Sequence, residues 1–332
     1  MHDWRAPTWL GGSGRLGGNL QTIWPALFSR VAPDAPVLLT GRLERWIAPD
    51  QDFVDVDWLA EPATPQSPLL VLFHGLEGSS RSHYAQAFGH WAWERGWGCA
   101  VPHFRGCSGE LNRAPRFYHS GDHAEIDWLL ARFAQSHPLG PRVAVGVSLG
   151  GNVLLRWAQE SGHSGRALVR AVAAVSSPLD LAAAGHAIRQ GFNRAVYNRM
   201  FMASMKPKAL AKLRHFPGLY DEATLLRARD LYEYDNVVTA PLHGFASTED
   251  YWARCSAGPR LKGLTGIPAL VLNALNDPFV PAASLPGPQD VSSWVTLWQP
   301  PQGGHVGFPA GAWPGHVGAM PEAVGAWLAG HL

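Results

Sequence analysis

From Leu69 to Pro301 the chain alternates short apolar runs with stretches of helical spacing, and this alternation constrains its fold more than any other feature. The runs are LLVLFHG (69–75), GCAVPHFRG (98–106), RVAVGVSLG (142–150), RAVAAVSSP (170–178), IPALVLNALND (267–277) and SSWVTLWQPP (292–301). Most are apolar without alternation, as strands buried on both faces of a parallel sheet are. Two further runs, PVLLTGRLERWIA (36–48) and DFVDVDWLA (52–60), precede them. Helices are predicted over Tyr84 to Arg95, Ala124 to Gln135, Asn152 to Ser161 and Pro321 to Leu332. Strand–helix alternation of this kind implies βαβ units, so the expected class is α/β with a mostly parallel, doubly wound sheet. A chain of 332 residues is long enough for one large domain of that class.

The rhythm breaks once, between Pro178 and Gly263, where helix-like segments follow one another with no convincing buried strand. The expectation is a single domain over residues 1–332 with a helical cap inserted at about 179–262. Within it, GFNRAVYNRMFMASM places Phe192, Val196 and Met200 about one helical turn apart, with Arg194 and Arg199 elsewhere. That pattern predicts an amphipathic helix lying over something apolar, either ordinary core or a pocket.

One corner of the alternation carries chemistry. Gly146-Val147-Ser148-Leu149-Gly150 stands where a buried strand becomes a helix. A Gly-x-Ser-x-Gly turn in that setting forces unfavourable backbone angles on the serine and lifts its Oγ above the sheet. A serine hydroxyl becomes nucleophilic only when a base takes its proton, and the base needs an orienting acid. In this type of fold the partners follow in the order Ser, Asp or Glu, His. Asp277 comes directly after the strongest apolar run of the last third. Asp235 and Asp250 fall in the cap, and Asp290 has no strand immediately before it. His305, after two glycines in QGGHVGF, follows the last strand and precedes the final helix; His316 and His331 are expected at the surface or in the core. The candidate catalytic set is Ser148, Asp277 and His305. Acyl transfer also needs donors for the developing oxyanion. The backbone N–H of Leu149, after the serine, and that of Leu76, in HGLEGSSRSHY, are the candidates.

Other readings are weaker. His119, Asp122, His123 and Asp127 gather metal-ligating residue types in YHSGDHAEID. No third ligand falls at metalloenzyme spacing, and Gly121 opposes a helix across the histidine pair, so no metal site is expected. Asp122 and Glu125 are accounted for by the positive end of the following helix. No dinucleotide or Walker-type glycine loop occurs between a strand and a helix. The three cysteines, Cys99, Cys107 and Cys255, are too few and too scattered for a disulfide framework, and nothing supplies Cys107 with a base. Formal net charge is +1 with 16% charged residues, which gives no broad attraction to nucleic acid. The N-terminus has no secretory pattern and no stretch is apolar enough to span a bilayer, so a cytoplasmic protein without an integral membrane segment is expected. Oligomeric state is left open.

Taken together, GGNLQTIWPALF, HGLEGSSRSHY, FRGCSGELNRAPRFYHSGD, GVSLGGNVLLRW, NALNDPFVP and GGHVGF resemble the α/β-hydrolase fold, and more narrowly its YheT-like group. The resemblance runs from Gly17 to the final helix. It implies a serine hydrolase acting on carboxylic esters, with Ser148, Asp277 and His305 as relay residues and no cofactor. The apolar cap residues add the expectation of a small-molecule ester with an apolar acyl group. An acyltransferase, thioesterase or amidase on the same residues, or a binding scaffold without turnover, are the alternatives.

Overall fold

The computed structural model describes residues 4–12, 14–31 and 41–332. The leading residues 36–40 of the first apolar run, and Met1 to Asp3 of the N-terminus, lie outside them. Eight strands form one sheet: β1 (Arg42–Ile47), β2 (Phe53–Ala60), β3 (Leu69–Phe73), β4 (Gly98–Pro102), β5 (Arg142–Val147), β6 (Val172–Val175), β7 (Ala269–Leu272) and β8 (Val295–Trp298). Their order is β1-β2-β4-β3-β5-β6-β7-β8. β1 pairs antiparallel with β2, and β2 with β4; every later pairing is parallel. The six runs from Leu69 onward hold the parallel strands, and β3, β4, β6 and β7 are buried along their whole length, as expected of strands covered on both faces.

The two faces are visible within β3. Leu69, Val71 and Phe73 enter one apolar cluster with α3 (His123–Ser136) and α4 (Leu149–Ser161), through Ile126, Phe133, Val153 and Trp157. Leu70 and Leu72 enter the other, with α2 (His83–Glu94) and the last helix Ala319–Ala329, through Phe88, Trp91, Val324 and Leu328. All five β3 side chains are fully buried. Each such burial contributes roughly 1.5–3 kcal/mol, enough to fix both the register and the layer order. One further helix, α1 (Arg15–Leu27), was not foreseen; its GG and internal Pro25 conceal it.

Between β6 and β7 the described chain forms helices joined by turns and no strand, from α5 (Leu181–Ile188) to a 3₁₀ turn at Gly258–Gly263. Tyr197, Phe201, Leu225, Tyr234 and Val238 form its apolar cluster, packed on Phe117, Phe279 and Val280. The stripe expected to pack inward does not. Phe192, Val196 and Met200 are 51%, 39% and 56% exposed, while Tyr197, Phe201, Met205 and Ala209 turn inward. Two apolar i, i+4 series run along this segment offset by one residue, about 100° apart, and periodicity cannot say which one faces the protein. A π turn at Arg194–Asn198 rotates the faces further. No described helix is long and apolar enough to cross a membrane.

Candidate active site

β5 ends at Val147 and α4 begins at Leu149, leaving Ser148 alone in the turn with φ 53° and ψ −120°. A non-glycine residue in that region costs about 1–3 kcal/mol and persists only where its surroundings fix it. Here the Ser148 N–H donates to the Val175 carbonyl at 2.8 Å, and the Gly151 N–H donates to the Ser148 carbonyl at 2.9 Å. Gly146 and Gly150 make the tight corner possible: a Cβ on the first would collide with the Gly150 carbonyl, and one on the second with the carbonyls of Phe73 and His74. The Ser148 side chain does not cap α4, so its Oγ is left for another partner.

That partner is His305, whose Nε2 lies 3.1 Å from Ser148 Oγ. On its other side Nδ1 lies 2.8 Å from Asp277 Oδ2. A carboxylate only accepts, so Nδ1 carries the hydrogen and Nε2 presents its lone pair to the serine. Asp277 is held in turn: its Oδ1 accepts from the N–H groups of Phe279 at 2.7 Å and Val280 at 3.2 Å, and its side chain is fully buried. The Phe279 ring lies on the imidazole with centroids 4.2 Å apart. The other acids weighed are occupied elsewhere. Asp235 accepts from Thr239 and Trp252, Asp250 from the Ala246 N–H and Arg254, and Asp290 from the Gly287 N–H. His316 accepts from the Gly318 N–H, and His331 stacks on Trp327.

The scaffold under His305 comes from α1. Fully buried Gln21 accepts through Oε1 from the Gly303 N–H and from Asn276 Nδ2, each at 2.9 Å. Thr22 Oγ1 accepts from the His305 N–H at 2.8 Å. Ser176 Oγ accepts from the Val306 N–H at 3.1 Å, and His83 Nε2 donates to the Val306 carbonyl at 3.2 Å. Gln21 and Thr22 carry no signal of their own in sequence; only the stretch GGNLQTIWPALF, as a piece of the family resemblance, marks their place. Replacing Gln21 by leucine orphans two buried donors at about 1–3 kcal/mol each. Gln21→Leu is therefore expected to unfold at lower denaturant and to lose kcat with little change in KM. An unchanged kcat would show that the loop does not need this anchor.

Leu76 and Leu149 both face the cavity that contains Ser148 and His305. The Leu149 N–H belongs to the first turn of α4, where no intrahelical acceptor exists. Gly75 lies against the serine, 3.2 Å from its Cβ to an added Cβ. Two residues on, Glu77 has φ 56° and a buried carboxylate that accepts from Tyr118 Oη, Ser204 Oγ and Lys208 Nζ, the last at 2.7 Å. Glu77 thus ties the Leu76 loop to the helix Arg199–His215. The cavity measures about 700 Å³ including its mouth and is walled mainly by Leu181, Ala184, Ile188, Phe201, Met205 and Phe279. A smaller one of about 470 Å³ adjoins it and adds Glu77, Tyr118, His119 and Lys208.

Among the described residues no group of three or more His, Cys, Asp or Glu is placed to hold a metal ion. His119 stacks on His243 at 4.3 Å, Asp122 pairs with Arg116, and Asp127 accepts from Trp157. His119 precedes α3, so it does not share a helix face with His123. Glu125 sits in the first turn of α3 yet is buried against Arg105 at 2.5 Å, a partner its helix position did not suggest. Burial, with Glu77 beside it, pushes the Cys107 thiol up to about 12, so it is no nucleophile near neutral pH.

Burial also pushes His74, His119 and His243 down to about 3 and His83 to about 4. Below an unfolded value near 6.5 the unfolded chain binds protons that the folded one refuses, so stability falls with pH by up to about 1.4 kcal/mol per unit for each histidine. Asp235, raised to about 7 by burial, and Glu125, raised by burial although Arg105 opposes it, act the other way, since the folded state keeps their protons. Four histidines outweigh two carboxyls. Urea midpoints are expected to drop on going from pH 7 to pH 5, and less steeply in His243→Asn; a midpoint that holds or rises contradicts the assignment.

The sequence profile of the α/β-hydrolase fold family matches residues 68–312. The chain is 40% identical over 296 residues to the Escherichia coli (strain K12) protein named "Putative esterase YheT", covering 88% of this chain and 84% of that protein. It is 30% identical over 251 residues to the human protein named Phospholipase ABHD3, covering 74% of this chain but 60% of that longer protein. The solved Pyrococcus furiosus esterase Pf2001 shares the fold at a TM-score of 0.55 and 14% identity, over 91% of this chain and 96% of that one. Sheet order, the strained serine corner and these likenesses agree, and the chain belongs to the α/β-hydrolase family, within its YheT-like group.

Proposed function

We propose that the protein is a serine hydrolase that cleaves carboxylic esters through an acyl-enzyme. The observation that carries this reading is the continuous relay from Ser148 Oγ through His305 to Asp277 at the floor of an apolar cavity. In the proposed reaction His305 Nε2 takes the Ser148 proton as Oγ bonds to the ester carbonyl carbon. Charge moves to the carbonyl oxygen, which the N–H groups of Leu76 and Leu149 receive; one such donor is worth about 2.7–4 kcal/mol. The imidazolium, steadied by Asp277, protonates the leaving alkoxide as the C–O bond breaks. Water, deprotonated by His305, then attacks the acyl-enzyme, and collapse of the second tetrahedral intermediate returns the proton to Ser148.

Residues 179–262 act as a cap in this account, supplying Leu181, Ala184, Ile188, Phe201 and Met205 to the wall. Such a wall favours an acyl chain over a charged group. Support also comes from relatives named as esterase, phospholipase and monoacylglycerol lipase. The test is a panel of p-nitrophenyl esters of graded acyl length, with acid and alcohol both quantified. Turnover that rises from acetate to medium-length chains is expected; a folded protein that cleaves none of them overturns the proposal. Product shifted to a new ester on adding alcohol would reassign the enzyme to acyl transfer.

A further inference from the structure

The two helical segments that border the site each present an apolar stripe to solvent. On α1, Leu16, Leu20 and Leu27 recur on one face and are 76%, 41% and 67% exposed. On the cap, Phe192, Val196 and Met200 form the second stripe, also exposed. The stripes are held side by side: Tyr197 Oη donates to Asn19 Oδ1 at 2.9 Å, and Ile23 of α1 packs on the cap's apolar cluster. Scattered exposed apolar side chains are ordinary, but two adjoining rows make a patch that calls for a partner.

Charge says which kind. The sequence contains no Asp or Glu from Trp4 to Arg30, and none from Leu181 to Tyr220. Arg15, Arg194 and Arg199 lie within two residues of a stripe residue, are exposed, and make no ion pair among the described residues, although Arg194 shares a groove with Asp230 and Glu233. Those two carboxylates are already paired, Asp230 with Arg189 and Glu233 with Arg229. The near-balanced charge of the whole chain therefore hides a local segregation of sign. A second copy of this chain is a poor occupant, because a two-fold contact would set these arginines against one another.

We propose that this two-helix face docks the protein on an anionic lipid surface, with its apolar rows in the headgroup boundary and its guanidinium groups on lipid phosphates. Amphipathic faces bind such surfaces through buried apolar area plus attraction of Lys and Arg to anionic headgroups. The inward faces of the same helices reach the site: Phe201 and Met205 wall the cavity, and Gln21 and Thr22 hold the His305 loop. Resting on the hydrolase reading, docking makes the ester a lipid one delivered from that surface into the cavity.

The test is flotation of full-length Ser148→Ala protein with vesicles of phosphatidylcholine, with and without phosphatidylglycerol. Binding to the anionic vesicles, weakened by salt, is expected. Val196→Glu/Met200→Glu and Arg194→Glu/Arg199→Glu should each weaken it by roughly tenfold or more, while the same changes in the active protein leave turnover of a short soluble ester unchanged. No flotation, equal flotation with both vesicle types, or binding untouched by both variants overturns docking. So does self-association in sedimentation velocity that the variants abolish in the absence of lipid binding. Because flotation needs no turnover, docking without any ester cleavage would sink the hydrolase reading alone, and cleavage without docking would sink this inference alone.

Discussion

Ser148→Ala and His305→Ala are each expected to lower ester turnover by on the order of 10⁶, and the double variant by no more than either single one. In the proposed reaction the relay acts as a unit: without Oγ there is nothing to attack, and without Nε2, 3.1 Å away, the hydroxyl would keep its proton. Losses that fail to add are the signature of that unity. Steady-state rates on a p-nitrophenyl ester, with circular dichroism confirming the fold, decide the matter. A double variant falling by the product of the two single losses would mean that the residues act separately.

Asp277→Asn is expected to cost roughly 10⁴ in kcat with the fold retained. Asp277 spends Oδ1 on the Phe279 and Val280 N–H groups and Oδ2 on His305 Nδ1. An asparagine has one oxygen for these two tasks. If the oxygen stays with the backbone donors, the amide N–H faces Nδ1, which must then accept, and the hydrogen moves to the nitrogen that should receive the serine proton. If it faces the ring instead, the amide meets two backbone donors. Either arrangement disables or displaces the base. A variant within tenfold of the parent would show that Asp277 does not set the tautomer.

The parallel strands announce themselves because burial on both faces leaves no polar residue in runs such as LLVLF. The serine corner is legible because a turn so tight admits few residue types, and the order of partners along the chain narrows the choice of acid and base. Helix α1 was missed because glycines and Pro25 weaken every local helix signal. The roles of Gln21 and Thr22 are tertiary: their oxygens meet N–H groups about 280 residues away, which no local pattern encodes. The inward stripe of the cap was misassigned because two apolar series compete on one helix, and only contact with Phe279 and Val280 selects between them. Nothing local in HGLEGSSRSHY pairs Glu77, and its ties to Ser204 and Lys208 arise only from contact with the distant helix Arg199–His215.

The central claim is that Ser148 is uniquely activated by His305, and covalent capture reads this directly. The folded protein is treated with a fluorophosphonate, and the adduct is located by peptide mass spectrometry. The account predicts near-stoichiometric modification at Ser148, lost in His305→Ala. A folded protein that stays unmodified, or carries the phosphonyl group on another residue, would contradict it.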